Sequence, residues 1–329
     1  MMDEIRWFAP NRFCELLIEP LRERGLGIVA SGDRPARLAV VMDGQSAVEG
    51  MEYARRHRCP LVLYLWDLPP WRLGGGRSDF VFSAGSRIYR IPRPVGGYPE
   101  RPGFYSRLRW VARRAIAVWA PSTLTAEDLR ARFGVHAEVV PYCYDSDRFK
   151  PLARSTPDAL RLLAISRLVR HKNQIVLIRA AAGMSPRPII HLIGQGPERE
   201  TLRYTAAQLG VSLQVDSDWQ TEEAVAAAYR AASVVVAPSR FEGFGLTPME
   251  SVAQGIPTVA SDIAPHRQHL RDAVTYFDPN DEAMLIRAVE TALYRPVAEP
   301  SALAHLTIGA AAERFERRLR HILNPPAAR

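Results

Sequence analysis

The sequence predicts an α/β protein built from two Rossmann-like, doubly wound parallel-sheet domains. Three observations lead to this prediction. Short apolar runs alternate with longer segments of helical periodicity along the chain. A polar, proline-bearing stretch near residues 145–160, DSDRFKPLARSTPDAL, interrupts the alternation, which then resumes. The length of 329 residues also exceeds what one hydrophobic core usually serves.

The first half of the chain contains apolar runs that we interpret as strands: EIRWFAP, GIVAS, RLAVVMDG, PLVLYLWD, IAVWAPS and HAEVVPY. Between them lie segments that we interpret as helices: CELLIEPLRERG, SAVEGMEYARRH, FYSRLRWVARRA and TLTAEDLRARFG. Such strand–helix alternation indicates a parallel sheet. We expect the first domain to span residues 1–150.

The second half repeats this pattern. The predicted strands are LRLLAISR, PIIHLIGQG, LQVDSDW, ASVVVAPS and IPTVAS, and the predicted helices are NQIVLIRAAAG, PERETLRYTAAQLG, TEEAVAAAYRAA and TPMESVAQG. Nearly continuous Val, Ile and Leu in the strands favours a sheet covered on both faces. We expect a second domain over residues 151–300 and a final helix, 301–329, that crosses back toward the first domain.

Composition narrows the class of protein. The three cysteines, Cys14, Cys59 and Cys143, show neither metal nor redox spacing, which favours a reducing compartment. The N-terminus, MMDEIRWFAP, lacks the apolar stretch of a signal peptide. No apolar run approaches the ~18 residues of a spanning helix. We therefore expect a cytoplasmic protein, and a peripheral position on the inner face of the plasma membrane stays open.

The net charge of +8 is concentrated in one segment. Residues 87–114 contain eight arginines and a single acid, Glu100. Such a segment favours anionic partners such as phosphate, a phospholipid surface or nucleic acid. The alternative is a solvated arginine-rich face. The aromatic-interleaved platform of a single-strand binder is not evident, so we do not expect nucleic acid as the partner.

A glycine-bearing loop, SRFEGFGLTPMES, follows the predicted strand VVVAPS. Its glycines, Gly243 and Gly245, allow the backbone to turn and a ligand to approach it closely. A helix predicted to begin at Thr247 would direct free N–H groups and a partial positive charge toward an anion. Two carboxylates, Glu242 and Glu250, are placed to accept hydrogen bonds from sugar hydroxyls. Glu250 alternatively completes a capping box with Thr247.

Two further loops follow predicted strands. In SRLVRHKNQ, Arg167 and Lys172 can converge on one diphosphate, the first as a planar fork and the second as a point charge. The alternative is a basic loop that merely precedes a helix. In LIGQGPE, Gly194 and Gly196 allow close backbone approach, although no third glycine completes a dinucleotide fingerprint.

Taken together, these loops form a family pattern. Residues 160–325 resemble the retaining GT-B glycosyltransferases of the E-x₇-E family, also called glycosyltransferase family 4 or glycosyl transferases group 1. The resemblance rests on SRLVRHKN, HLIGQGPERETL, AYRAASVVVAPSRFEGFGLTPMESVAQGIPTVASDI and FDPNDEAMLIRAV. It also extends to APSTLTAEDLRARFGVHAEVVPYCYDSDRFKP at the end of the first half. The resemblance implies two domains that face each other across a cleft, the first on the acceptor side.

The resemblance also implies a function and a role for each residue. The chain would transfer a sugar, with retention of configuration, from a UDP- or GDP-sugar to a glycan or a lipid-diphosphate-linked acceptor in cell-envelope or exopolysaccharide synthesis. No metal-ligand cluster is visible, and the nucleotide sugar is a co-substrate rather than a cofactor. The implied catalytic residues are Glu242, Arg167 and Lys172. The implied donor-binding residues are Glu250, Gly243, Phe244, Gly245, Leu246, Thr247, Gly194 and Gly196.

Several departures from the family pattern leave alternatives open. Asn173 replaces the usual glycine, and Asp218 stands where a glycine commonly precedes the base-contacting loop. In YLWDLPPW, Trp66 replaces a histidine and Asp67 remains, so these two are the acceptor-side candidates; a packed aromatic and a helix cap are the structural alternatives. A GT-B nucleotide-sugar 2-epimerase and a non-catalytic sugar-nucleotide-binding protein remain alternative functions.

Overall fold

A computed structural model describes residues 4–68, 80–84, 87–91, 103–153, 159–218 and 220–325. The chain divides into two compact units. The first comprises the described residues within 1–73, 98–145 and 305–329, and the second those within 74–97 and 146–304. The C-terminal residues thus belong to the first unit.

The first unit is built on six strands and six helices among its described residues. The strands are β1 (Glu4–Phe8), β2 (Gly27–Val29), β3 (Leu38–Val41), β4 (Leu61–Tyr64), β7 (Ala117–Ala120) and β8 (Glu138–Val139). The helices are α1 (Arg12–Glu15), α2 (Ile18–Glu23), α3 (Ala47–His57), α4 (Phe104–Ala112), α5 (Thr123–Phe133) and α12 (Ile308–Leu323). Every strand pairs with its neighbours in parallel.

The second unit carries a sheet of the same kind. Its strands are β9 (Arg161–Ile165), β10 (Ile189–Ile193), β11 (Leu213–Asp216), β12 (Val234–Ala237), β13 (Thr258–Ser261) and β14 (Thr275–Phe277). Its helices are α6 (Gln174–Ala182), α7 (Arg199–Leu209), α8 (Glu222–Ala231), α9 (Leu246–Ala253), α10 (Ala264–Leu270) and α11 (Glu282–Tyr294). Two further strands, β5 (Phe80–Ala84) and β6 (Arg87–Ile91), form a separate antiparallel pair that the sequence analysis did not identify.

The strand order of each sheet indicates where a ligand would bind. The second sheet runs β11-β10-β9-β12-β13-β14, so the chain reverses its direction of winding between β9 and β12. The first runs β2-β1-β3-β4-β7-β8, with the reversal between β1 and β3. In open α/β sheets, ligands bind outside the carboxyl ends of the strands at this switch point. The predicted doubly wound architecture is confirmed for both units.

Burial explains why the apolar runs became central strands. All four residues of β3 are completely buried, and those of β12 are at most 6% exposed. A strand covered on both faces needs apolar side chains at successive positions rather than at alternate ones. Helices on both faces supply that cover.

The last helix, α12, packs into the first unit through a mixed face. Phe315 is buried against Trp7 and Trp119, with ring centroids 6.4 and 5.4 Å away. Arg24 pairs with Glu316 at 3.0 Å, which fixes α12 against the end of α2. Among the described residues, no helix has the length and hydropathy needed to span a membrane.

Candidate functional site

The candidate site lies at the switch point of the second sheet. The loop after β9 carries Arg167 and Lys172, and the loop after β12 carries Glu242 to Gly245. These two strands are hydrogen-bonded neighbours, so their carboxyl ends lie side by side. The backbone N–H of Arg240 donates to the carbonyl of His171 at 2.8 Å and joins the two loops directly.

An ion pair connects the two principal candidates. The Lys172 ammonium donates to Glu242 Oε1 at 2.5 Å, although the two residues are 70 positions apart. Their side chains are 16% and 17% exposed. The Ser239 hydroxyl donates to the same Oε1 at 2.7 Å. Both bonds end on Oε1, which leaves Oε2 to accept a hydrogen bond from a ligand.

Electrostatics keep Glu242 ionised. Burial on its own raises the pKa of this carboxyl, but Lys172, His266 and the two hydrogen bonds outweigh burial and lower the pKa to about 2. The site therefore presents a negative and a positive charge together at neutral pH. Such a pair can address a sugar hydroxyl and a phosphate at the same time.

A buried histidine, His266, lies behind the glycine loop. Its Nδ1 lies 2.9 Å from the Ser261 carbonyl, an acceptor, so Nδ1 carries the proton and Nε2 is left as an acceptor. Burial lowers the pKa of His266, although Glu242 partly opposes the shift. A Cβ on Gly245 would lie 2.8 Å from the imidazole Cδ2, and the backbone there has φ +90°. The position therefore requires glycine.

Helix α9 begins one residue earlier than predicted. It starts at Leu246 with Gly245 as N-cap, and no side chain caps it, so the predicted capping box with Thr247 as N-cap is wrong. Gly245 adopts the positive φ that this start of the helix requires, and Thr247 lies within the first turn. There its hydroxyl donates to the Ile165 carbonyl at 2.8 Å, which holds α9 against the end of β9.

Glu250 is oriented by a buried tyrosine. The Tyr229 hydroxyl donates to Glu250 Oε2 at 3.1 Å. Burial raises the pKa of Tyr229 well above its usual range, and the charge of Glu250 adds to the shift, so this hydroxyl stays a donor. Tyr229 therefore orients the carboxylate beyond the first turn of α9, and Glu250 remains partly exposed.

The two other predicted glycines serve close packing of loops. A Cβ on Gly194 would lie 2.0 Å from the Ser166 carbonyl oxygen, and one on Gly196 would lie 2.2 Å from that of Leu168. Leu168 N–H donates to the Gln195 carbonyl at 2.7 Å in the same region. These glycines thus let the loop after β10 support the loop that carries Arg167.

Arg167 has an anchored backbone and an exposed side chain. The buried Gln174 amide donates to the Arg167 carbonyl at 2.9 Å and to the Ser166 hydroxyl at 2.7 Å. Phe244 is buried and packs edge-to-face on His269, with centroids 4.7 Å apart. Its side chain therefore fixes the loop, while Gly243 beside it is also buried.

The acceptor-side candidates lie in the first unit. Trp66 follows β4, and its Nε1–H donates to the Met42 carbonyl beyond β3 at 2.7 Å. Its ring packs on Phe13 and Tyr142, with centroids 5.1 and 4.9 Å away. Trp66 and Asp67 are both half-buried. Trp66 is thus packed among aromatic rings and remains partly exposed.

Sequence reasoning missed three contributors: Ser239, His266 and Gln174. Ser239 bonds to Glu242 three residues further on, and Gln174 bonds back to the start of its own loop, but such short polar contacts have no distinctive sequence pattern. His266 meets the glycine loop from a distant part of the chain. In the described part of the chain, no group of three or more His, Cys, Asp or Glu side chains is placed to hold a metal ion.

Comparison with solved structures identifies the fold of the chain. HepE of Anabaena, solved with UDP and glucose, matches with a TM-score of 0.63 over 97% of this chain and 95% of its own, at 16% identity. A glycosyltransferase from Rickettsia africae ESF-5 matches with a TM-score of 0.64 over 99% and 100%, at 12% identity. At such identities the likeness establishes the fold, which is GT-B.

The family follows from the second unit. Residues 145–305 match the family described as Glycosyl transferases group 1. This region is similar to that family and contains every residue of the candidate donor site.

Curated relatives match over about three fifths of the chain. The D-inositol 3-phosphate glycosyltransferase of Nocardiopsis dassonvillei is 32% identical over 246 residues, 64% of this chain and 55% of the relative. That of Geodermatophilus obscurus is 35% identical over 235 residues, 62% and 52%. The lipopolysaccharide core biosynthesis glycosyltransferase LpsD of Rhizobium meliloti is 28% identical over 210 residues, 61% and 55%. The chain spans about half the length of these relatives.

Proposed function

We propose that this protein transfers a sugar from a nucleoside diphosphate sugar to a glycan or lipid-linked acceptor, with retention of configuration and without a metal ion. The observation that carries the proposal is the Lys172–Glu242 pair at the switch point of the second sheet, beside the N-terminus of α9. The names of the relatives, which are glycosyltransferases, support it.

Different charged groups of the site bind different parts of the donor. Lys172 and Arg167 bind the diphosphate, one as a compact ammonium and the other as a planar fork. Glu242 accepts a hydrogen bond from the transferred sugar through Oε2, and Glu250 accepts from the ribose. The loop Gly243–Leu246 and the first turn of α9 contribute backbone N–H groups toward the phosphates.

The reaction breaks the bond between the sugar C1 and the diphosphate oxygen, and it forms a bond from C1 to the acceptor oxygen. Negative charge develops on the departing diphosphate, where Lys172, Arg167 and the α9 dipole stabilise it. One preorganised donor of this kind typically contributes ~3–4 kcal/mol. The leaving phosphate takes the proton of the acceptor hydroxyl on the same face of the sugar, or an enzyme nucleophile forms an intermediate first.

The first unit binds the acceptor in this proposal. Trp66 presents an aromatic face that its bond to the Met42 carbonyl holds in place. It lies at the carboxyl end of β4, where ligands of open sheets bind. Aromatic faces suit the apolar side of a sugar ring, and Asp67 adds a carboxylate for its hydroxyls.

A membrane surface is the proposed source of a lipid-linked acceptor. Helix α4 ends at Ala112, earlier than its predicted end near 116, and buries Leu108 and Val111. Arg107, Arg109, Arg113 and Arg114 are exposed, together with Trp110 at 37% and Ile116 at 59%. Arginines around exposed apolar side chains fit an anionic bilayer, where each basic residue contributes ~1 kcal/mol. The side chains of Arg87, Arg90, Arg93 and Arg101 lie outside the described residues.

Liposome flotation tests this surface. Binding is expected with anionic vesicles, should weaken with salt, and should be absent with neutral vesicles. Equal behaviour with both vesicle types would remove the membrane from the proposal and favour an acceptor in solution.

The central experiment is a transfer assay after a thermal-shift screen of UDP- and GDP-sugars. A ligand at 100 times its dissociation constant stabilises by ~2.7 kcal/mol, which such a screen detects. Glu242→Ala is expected to abolish transfer while the fold survives, and EDTA should leave the wild-type rate unchanged. A Glu242→Ala rate within a few-fold of wild type would refute the role of this carboxylate. Release of free sugar without an acceptor would favour the epimerase alternative.

A further inference from the structure

Asn173 stands at a position with unusual backbone geometry. It joins the short 3₁₀ turn Arg170–Lys172 to α6 and adopts φ +59°. Glycine and, less readily, asparagine are the residues that adopt this left-handed conformation. The backbone alone therefore explains why the family pattern has glycine here, but it gives no reason for an amide side chain.

The side chain is buried and bridges two other loops. Asn173 is 2% exposed. Its Nδ2 donates to the Pro238 carbonyl at 3.1 Å and to the Pro279 carbonyl at 2.9 Å. The first carbonyl follows β12 and the second follows β14. One amide thus connects three loops at the carboxyl edge of the sheet.

These bonds lie beside the charged pair. Pro238 directly precedes the stretch from Ser239 to Glu242, and Lys172 directly precedes Asn173. The two loops are consequently joined at three consecutive points: Asn173 to Pro238, His171 to Arg240, and Lys172 to Glu242. Among these contacts, the Asn173 hydrogen bond is neutral and buried, so a bound donor does not compete for it as it does for the charged pair.

We propose that Asn173 is a positioning residue, whose amide sets the separation between Lys172 and Glu242 before the donor binds. The inference rests on the proposed function, because it assumes that these two side chains receive the phosphate and the sugar. With the amide in place, the ammonium is held where the diphosphate arrives. Without it, the Lys172 loop and the Glu242 loop move independently, and part of the binding energy is spent on ordering them.

The test is Asn173→Gly, which keeps the left-handed backbone and removes the amide. We would measure dissociation constants for UDP, GDP and the corresponding monophosphates by calorimetry. The variant is expected to bind the preferred diphosphate about tenfold more weakly, with monophosphate binding changed less than twofold. The diphosphate-to-monophosphate ratio reports on positioning, because a general loss of stability does not change it selectively.

Two further variants complete the test. Asn280→Gly removes an exposed amide from the neighbouring loop and should leave the ratio unchanged. Asn173→Ala removes the amide without adding a charge and keeps the Cβ; it carries the test if the glycine variant does not fold. A folded variant at position 173 with the wild-type ratio overturns the inference. If the wild type itself shows no preference for diphosphates, the proposed function fails instead.

Discussion

Removing Lys172 and removing Glu242 from their ion pair are expected to lower the free energy of unfolding by different amounts. Lys172→Met leaves the Glu242 carboxylate, 17% exposed, without its cation. The pKa of Glu242 lies at about 2 instead of 4.5, a depression that corresponds to about 3 kcal/mol. Most of that should be lost in Lys172→Met. In Glu242→Gln, the long lysine stem can carry its ammonium toward solvent, and we expect roughly 1 kcal/mol.

The dependence on pH separates this explanation from a loss of packing. In the wild type, the contribution of Glu242 is complete above pH 4.5 and is lost as the pH falls toward 2. In Lys172→Met, only His266 and the Ser239 hydrogen bond still oppose burial, so we expect the pKa of Glu242 to rise and the penalty at pH 7 to shrink as the carboxyl protonates. The difference between the two proteins should therefore narrow from pH 7 to pH 4.

Urea unfolding followed by far-UV circular dichroism at both pH values measures these differences. The other lysine of the sequence, Lys150, is exposed, and Lys150→Met serves as the matched control. A double-mutant cycle with Glu242→Gln should show the double variant to be less destabilised than the sum of the two single variants. Equal costs for the two single variants, or a Lys172→Met penalty that is the same at pH 4 and pH 7, would refute the reasoning.

Three other predictions test the supporting residues. Gly245→Ala should destabilise by about 3 kcal/mol through strain and overlap with His266, whereas Gly255→Ala, at φ +72° with open space around it, should cost only the strain; equal costs would argue against the overlap. Tyr229→Phe removes the bond to Glu250 and should weaken binding of nucleosides as well as nucleotides, by about 1 kcal/mol. Trp66→Ala should raise the KM for the acceptor with donor binding unchanged, and Trp66→Phe should restore part of it; weaker donor binding would place Trp66 elsewhere in the mechanism.

The sequence predicted those features that depend on local pattern. Apolar runs such as VVVA in β12 can be recognised as strands from the sequence, because a strand covered on both faces has to be apolar throughout. The loop around Glu242 and Gly245 was also identified, since glycines before a helix have few other uses. In contrast, the short pair β5 and β6 was missed, although FVFSA and RIYRI flank a Gly-Ser dipeptide typical of hairpins.

What the sequence did not predict depends on contacts between distant loops. Lys172 and Glu242 were each assigned to a ligand, and nothing in a separation of 70 residues reveals that they pair with each other. Asn173 was noted as a departure from a pattern, but its two carbonyl partners lie 65 and 106 residues away. His266 has no local signature at all, because its role follows from the loop that packs on it.

The lysine content of the chain allows the most direct test of the proposed donor site. The sequence contains two lysines, Lys150 and Lys172. Protein made with ¹³C-labelled lysine should therefore give two Cε signals by NMR, which Lys150→Arg assigns. We predict that the nucleoside diphosphate with the larger thermal shift moves the Lys172 signal and leaves that of Lys150 in place, while the free nucleoside moves neither. Saturation with that diphosphate without a change in the Lys172 signal would contradict the proposed site.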